Sequence, residues 1–183
     1  MLFPKFAAVF AAFAVAGTSA QKCKCPSNPC ATDIVINGDF DDPLSGKPWT
    51  FARMETTTIK PRSSPQAALA SIQNDQFKHS IEQPITLTQG KQYTLRYYWA
   101  LVQGTLDPTA NCQIVASVDT TNTDINSLLV AAPNKYNERA FTFTAAGTSD
   151  LQISVQCVEA PATININIDD VSLYPASCLI IED

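Results

Sequence analysis

The chain is predicted to be all-β, an antiparallel sandwich or barrel, and three features of its sequence predict this. Beyond Ile34 the apolar residues recur at every second position, the period of a strand with one buried face, rather than at 3.6. The runs are short and are separated by loops rich in Asn, Thr, Asp, Pro and Gly, the residues that turns select. Helical patterning is confined to two brief stretches, 65–71 and 126–131, so strands must carry the core.

In chain order, Met1–Ala20 comes first. It has one early positive charge, Lys5, then an apolar run from Phe6 to Ala16, then small residues at Thr18 and Ala20. This is the pattern of a secretory signal cleaved before Gln21, and the run is too short to cross a bilayer as a helix. The expected product is a secreted, extracellular chain with three parts: a signal peptide (1–20), a Cys-rich N-terminal segment (21–33) and one sandwich domain (34–183). The whole chain has a formal net charge of −5, and losing Lys5 makes it more acidic. That excludes nucleic acid and an anionic membrane surface as expected partners.

All six cysteines follow the signal, and an even count in a secreted chain predicts three disulfides. Cys112 and Cys157 both fall on strand-like segments and are paired with each other. Cys178 is expected to join one of Cys23, Cys25 and Cys30. Cys23 and Cys25 are too close to bridge comfortably, so Cys30 is expected to pair with Cys23 or Cys25. A metal site on the N-terminal three needs a fourth ligand and a reducing compartment.

Ile34–Phe51, IVINGDFDDPLSGKPWTF, organises the rest. Ile34–Ile36 reads as the end of a strand, which Asn37-Gly38 breaks because both residues tolerate φ > 0. Asp39, Asp41 and Asp42 surround Phe40. Carboxylates on a kinked backbone can serve a hard cation such as calcium; the plain alternative is a solvated turn with Phe40 and Trp49 anchored in the core. Ile81–Thr88 is strand-like, with Pro84 marking an edge or a bulge, and Gln89-Gly90-Lys91 is a turn. Tyr93–Leu101 is the strongest strand, with Tyr93, Leu95, Tyr97 and Trp99 on one face and Arg96 and Tyr98 on the other. Further alternations run through Cys112–Val118, Phe141–Thr144, Leu151–Cys157 and Ile164–Leu173.

Three stretches, in this order, resemble the CenC-type carbohydrate-binding modules: NGDFDDPLSGKPWTF, QPITLTQGKQYTLRYYWAL and ININIDDVSLYP. The resemblance implies a jelly-roll sandwich of the galactose-binding-like group, a sugar-binding face, and one structural calcium ion where the first and last strands meet. Its acidic positions fall on Asp41 and on Asp169 or Asp170, with Asp39 and Asn37 as helpers. The family more often has Glu at Asp41, so the shorter side chain bears on direct ligation. The alternative for Asp169-Asp170 is a bulge that turns Val171 and Leu173 into the core. Such modules usually accompany glycoside hydrolases.

Sugars are held by rings stacked on their C–H faces and by planar polar side chains that bond hydroxyls. The expected polysaccharide or oligosaccharide site is a strip made by Arg96, Tyr98, Gln83, Gln113, Gln152 and Gln156, with Ser154 among them. The alternative is an ordinary solvated sheet face. Catalysis has little to stand on. His79, the single histidine, reads as a structural surface residue. Glu55, Glu82, Glu138 and Glu159 show no pairing of the kind glycoside hydrolysis needs. The leading expectation is a non-catalytic carbohydrate-binding module. Behind it stand a structural or protein-interaction jelly roll without a sugar site and, third, a small glycoside hydrolase or lyase.

Overall fold

The structure is a computed structural model, and it describes residues 33–42, 48–63, 65–73, 77–106, 111–119, 122–128, 132–158 and 162–178. The expected signal peptide, and the Cys-rich segment up to residue 32, lie outside the described residues. The strands are β1 (Thr50–Ala52), β2 (Met54–Thr57), β3 (Ala67–Ile72), β4 (His79–Ile85), β5 (Gln92–Gln103), β6 (Asn111–Val118), β7 (Asn122–Ser127), β8 (Asn137–Thr144), β9 (Ser149–Val158) and β10 (Ile164–Pro175). No helix occurs among the described residues. Two sheets face each other, sheet I in the order β1-β4-β9-β6-β7 and sheet II in the order β2-β3-β10-β5-β8. Every pairing is antiparallel.

Alternation explains the core. Leu151, Ile153 and Val155 of β9 meet Leu95, Tyr97 and Trp99 of β5 and Ile164, Ile166 and Ile168 of β10 in one buried cluster. Trp49 and Phe40 are buried as expected, their ring centroids 5.5 Å apart. Cys112 and Cys157 stand opposite each other on β6 and β9 and form a disulfide inside this core. Cys178 is disulfide-bonded as well, while Cys23, Cys25 and Cys30 lie outside the described residues.

Several local expectations are corrected. The stretch 65–71, expected to be helical, contains most of β3, and 126–131 opens in β7. Alanine favours helix in isolation, but Ala68 and Ala70 face the core and their small side chains let the sheets approach there. Context overrides propensity at both places. Ile34–Ile36 forms no ladder strand. It is held by single bonds instead: Ile34 N donates to Leu173 O at 3.0 Å, and Ile36 N donates to Gln83 Oε1 at 2.9 Å. His79 is buried rather than on the surface, and its Nδ1 donates to the Arg53 carbonyl at 2.7 Å. Pro84 does mark an edge, because β1 pairs with β4 only as far as Glu82.

The first and last segments meet at Gly38. Val171 N donates to Gly38 O at 2.9 Å, and a Cβ added at Gly38 would sit 1.8 Å from the Val171 carbonyl oxygen. The register between β10 and β5 slips between Asp169 and Ser172, and Asp170 has φ of 47°. This is the bulge foreseen at Asp169-Asp170, and it sends Val171 and Leu173 into the core.

Gly38→Ala is therefore expected to lower the unfolding free energy by about 2–4 kcal/mol, since backbone must move. Gly90→Ala, at φ of 76° with open space around it, is expected to cost only about 1 kcal/mol. Urea unfolding of the oxidised protein checks both.

Candidate functional site: two opposite outer faces

The expected sugar-binding residues do not share one surface. Gln113, Gln152 and Gln156 lie on β6 and β9 of sheet I, opposite core residues such as Ile114 and Ile153, so they occupy its outer face. Arg96 and Tyr98 lie on the outer face of sheet II, on the far side of the sandwich. Gln83 is inside: its Oε1 accepts from Ile36 N and its Nε2 donates to Ile36 O at 3.0 Å. Alternation assigns a residue to a face but does not reveal which sheet a strand joins. The neighbours of β5 are β10 and β8, not β6 and β9.

The outer face of sheet I forms a trough. The registers align a row of short or branched side chains across all five strands: Ala52, Ser80, Ser154, Val115 and Ile125. Glu82, Gln152 and Ser117 form the row on one side, and Gln156 faces Gln113 on the other. On β4, β9 and β6 the side chains of Ser80, Ser154 and Val115 are lower than Glu82, Gln152, Gln156 and Gln113 beside them, which makes a floor between two rims. With strands about 4.8 Å apart and about 6.8 Å between alternate residues, the row of five spans roughly 19 Å and the rims stand about 14 Å apart. The floor residues Ser80 and Ser154 are 4% and 3% exposed, while the rim glutamines are half-buried. The rim is wired: Gln152 Nε2 donates to Glu82, and Lys78 Nζ donates to Gln152 Oε1. Phe77, 55% exposed beside the start of β4, carries the Arg53 guanidinium 3.9 Å above its ring. Ile125, 63% exposed, stands at the β7 end. Phe77, Lys78 and the small-residue row escaped the sequence reading. Phe77 lies outside any alternating run, and the row exists only once registers are known.

The outer face of sheet II is largely roofed. The segment Ile59–Ser63, between β2 and β3, crosses it. Asn167 Nδ2 donates to the carbonyls of Ile59 (2.8 Å) and Lys60 (3.2 Å), and Tyr136 OH donates to Lys60 O at 3.0 Å. Leu69, Ala100 and Val102 are buried beneath, against Tyr136. Tyr98 is buried too, because the Arg62 guanidinium stacks 3.6 Å from its ring centroid. The ring expected to meet a sugar is thus already covered. Arg96 pairs with Glu138 at 3.3 Å.

The four candidate metal ligands are spoken for by other donors. Asp41 Oδ1 accepts from Gln66 N at 2.9 Å, and Asp39 Oδ1 from Asp41 N at 3.3 Å. Asp169 accepts from the backbone N–H groups of Arg62, Ser63 and Asp170. Asp170 pairs with Arg62 and accepts from Ser63 Oγ at 2.8 Å. Among the described residues no three His, Cys, Asp or Glu side chains converge in a way that could hold a metal. Within those residues Asp41 ties its loop to the residue before β3, Asp169 and Asp170 tie Arg62 and Ser63 to β10, and Asp39 closes a local turn. Burial first, and then the Asp170 charge, raise the Asp169 pKa to about 6 against its N–H donors. Burial raises that of Asp33 as well.

The family model for the CBM 4/9 carbohydrate binding domain matches residues 32–162. The chain belongs to the carbohydrate binding domain family. No curated protein sequence matches it significantly. Among solved structures, a family 61 module in complex with β-1,4-galactotriose is similar with a TM-score of 0.56 at 14% identity, covering 79% of this chain and 99% of that one. A xylan-binding domain of family 22 gives 0.52 at 12% identity, covering 82% and 99%. The C-terminal family 22 module of Clostridium thermocellum Xyn10B gives 0.52 at 13% identity, covering 84% and 99%. At these identities the likeness is one of fold, and it establishes the jelly-roll sandwich for this carbohydrate-binding chain.

The Asp169 environment sets a pH dependence. A carboxyl whose folded pKa exceeds its unfolded value binds more protons when folded, so its contribution to stability falls as pH rises from about 4 through about 6. Lowering the pH from 7 to 5 is expected to raise the unfolding free energy by about 1–2 kcal/mol from this group. Asp169→Asn is expected to flatten the slope in denaturation curves taken across that range.

Proposed function

We propose that the protein is a secreted, non-catalytic module that binds polysaccharide chains in the trough of sheet I. One observation carries the reading: on β4, β9 and β6 the low residues Ser80, Ser154 and Val115 lie between the planar groups of Glu82 and Gln152 on one side and Gln156 and Gln113 on the other, on the fold of a carbohydrate-binding family. The amide groups of Gln113, Gln152 and Gln156 offer both donors and acceptors to ring hydroxyls. Val115 and Ile125 supply apolar surface, and Phe77, 55% exposed with Arg53 on one face of its ring, leaves the rest of that ring for a sugar face. The length of the trough suits an extended chain rather than a single sugar. Xylan and β-1,4-galactotriose, named for two similar structures, support a polymer of neutral pyranoses as the ligand class.

The same geometry supports binding without cleavage. Glycoside hydrolysis needs two carboxyls flanking the bond. The aligned rows of the trough hold one, Glu82, and it accepts hydrogen bonds from Gln152 and Ser80. Secretion rests on the N-terminal pattern and on the core disulfide, which an oxidising compartment favours.

The mature, oxidised protein is expected to be retained on at least one of insoluble cellulose, xylan, β-1,3-glucan and chitin. Replacing Gln152 and Gln156 together by Ala is expected to lower affinity about tenfold or more, as two hydrogen bonds are lost. Phe77→Ala is expected to lower it about five- to tenfold. Retention on none of the four by folded protein would overturn the assignment to insoluble polymers.

A further inference from the structure

We propose a second sugar subsite on the face opposite the trough, in the cleft beside Arg62, so that one module holds two separate sugar chains. The proposal rests on the reading that the module binds carbohydrate, and it extends that reading to a surface the trough does not reach.

The roof over sheet II stops short. Past Tyr98 a cavity of about 430 Å³ opens between β5, the β10 bulge and the segment that begins at Asp33. That volume lies in the range of small-molecule sites. Its walls are built and held. Asp169 is fully buried and grips the backbone of Arg62 and Ser63, while the Arg62 side chain is fixed between the Tyr98 ring and Asp170. The floor is the tight contact of Gly38 with Val171. Groups already locked in place lose little further freedom when a ligand arrives.

The chemistry selects the ligand. Arg62 is neutralised by Asp170, and Arg96 by Glu138. Asp33 and Asp39 line the cleft as well, and their carboxylates accept from the backbone N–H groups of Val35, Leu173 and Asp41. The cleft therefore offers strong donors and strong acceptors side by side, with a surplus of negative charge that disfavours an anion. Asn37 and Ser172 add an amide and a hydroxyl to the lining, and Val35 and Val171 add apolar surface. Neighbouring hydroxyls that donate and accept, on a ring with apolar C–H faces, match this lining. A neutral sugar does so. The roof at Tyr98 and the N-terminal segment bound the cleft, so it suits a chain end or short oligosaccharide, whereas the trough runs across its whole sheet. The two sites open on opposite faces of a sandwich whose sheets pack about 10 Å apart. A module occupied at both would tie two chains together.

The test is a chemical-shift titration of the ¹⁵N-labelled, oxidised protein with xylohexaose, cellohexaose and β-1,4-galactotriose. It compares the wild type, a trough variant (Gln152→Ala with Gln156→Ala) and Ser172→Tyr, which fills the cleft from a half-exposed strand position. At least one probe is expected to shift the amides of Arg96, Tyr98 and Ser172 in the trough variant, with a Kd within about twofold of the wild-type value for that set, as for independent sites. Ser172→Tyr is expected to abolish those shifts and leave the β6 and β9 shifts intact. Shifts confined to β6 and β9 and indifferent to Ser172→Tyr would overturn the second site and leave the trough reading standing. No shift with any probe, in protein whose spectrum is folded, would overturn both.

Discussion

The contact between Gly38 and Val171 is the constraint on which the rest of this sandwich depends. Two chain segments more than a hundred residues apart approach so closely that only a hydrogen atom fits on the Gly38 α-carbon. The bulge in β10 is the counterpart of that approach. It turns Val171 and Leu173 inward, leaves Asp170 facing out, and gives Asp33 the Leu173 N–H to accept at 2.8 Å. The N-terminal segment then crosses to sheet I, where the Gln83 side chain receives both the N–H and the carbonyl of Ile36. A buried glutamine that satisfies a backbone in this way replaces a strand ladder with a single two-pronged clasp. The segment thereby laces the two sheets together at one end.

At the opposite edges the sheets are joined by charge. Arg139 of β8 reaches Asp124 of β7 with nitrogen–oxygen distances of 2.8 and 3.1 Å. A forked guanidinium–carboxylate pair of this kind is directional as well as attractive. Beside it the Tyr97 hydroxyl is pushed well above its ordinary pKa, by burial and then by the Asp124 charge. The division of labour between the outer faces follows from loops and side-chain size. Sheet II is occupied by a segment of its own chain, which is tied down by Asn167, Asp169 and Tyr136. Sheet I carries Ser, Ala and Val along its middle and longer groups to either side. It stays open because nothing in the described chain folds across it.

Much of this was legible in the sequence, and the failures have a common cause. Period-two alternation correctly placed β5, β6, β9 and β10, the disulfide between Cys112 and Cys157, and the burial of Trp49 and Trp99. Three motifs in order identified the family. What alternation could not supply was the partner of each strand. Arg96 and Gln152 look like members of one polar strip because each is the outward residue of a strong strand, but the strands belong to different sheets. Gln83 was misplaced because a polar residue among apolar neighbours reads as outward until a buried backbone that needs it is known. β3 reads as helix along the chain because Ala-rich sequence prefers helix until close packing between sheets makes small side chains the better choice. The trough floor, made of residues from five strands, has no signature along the chain at all.

Pro84 has a consequence beyond marking an edge. A polymer-binding module gathers on its ligand at high local density, where an unpaired strand edge invites a neighbour to dock on it and grow a continuous sheet. β1 is three residues long and leaves the far end of β4 uncovered. At that point the chain places a residue with no N–H to offer and a ring that obstructs strand addition. Crowded molecules can then lie side by side on a polysaccharide as separate units rather than as one continuous sheet.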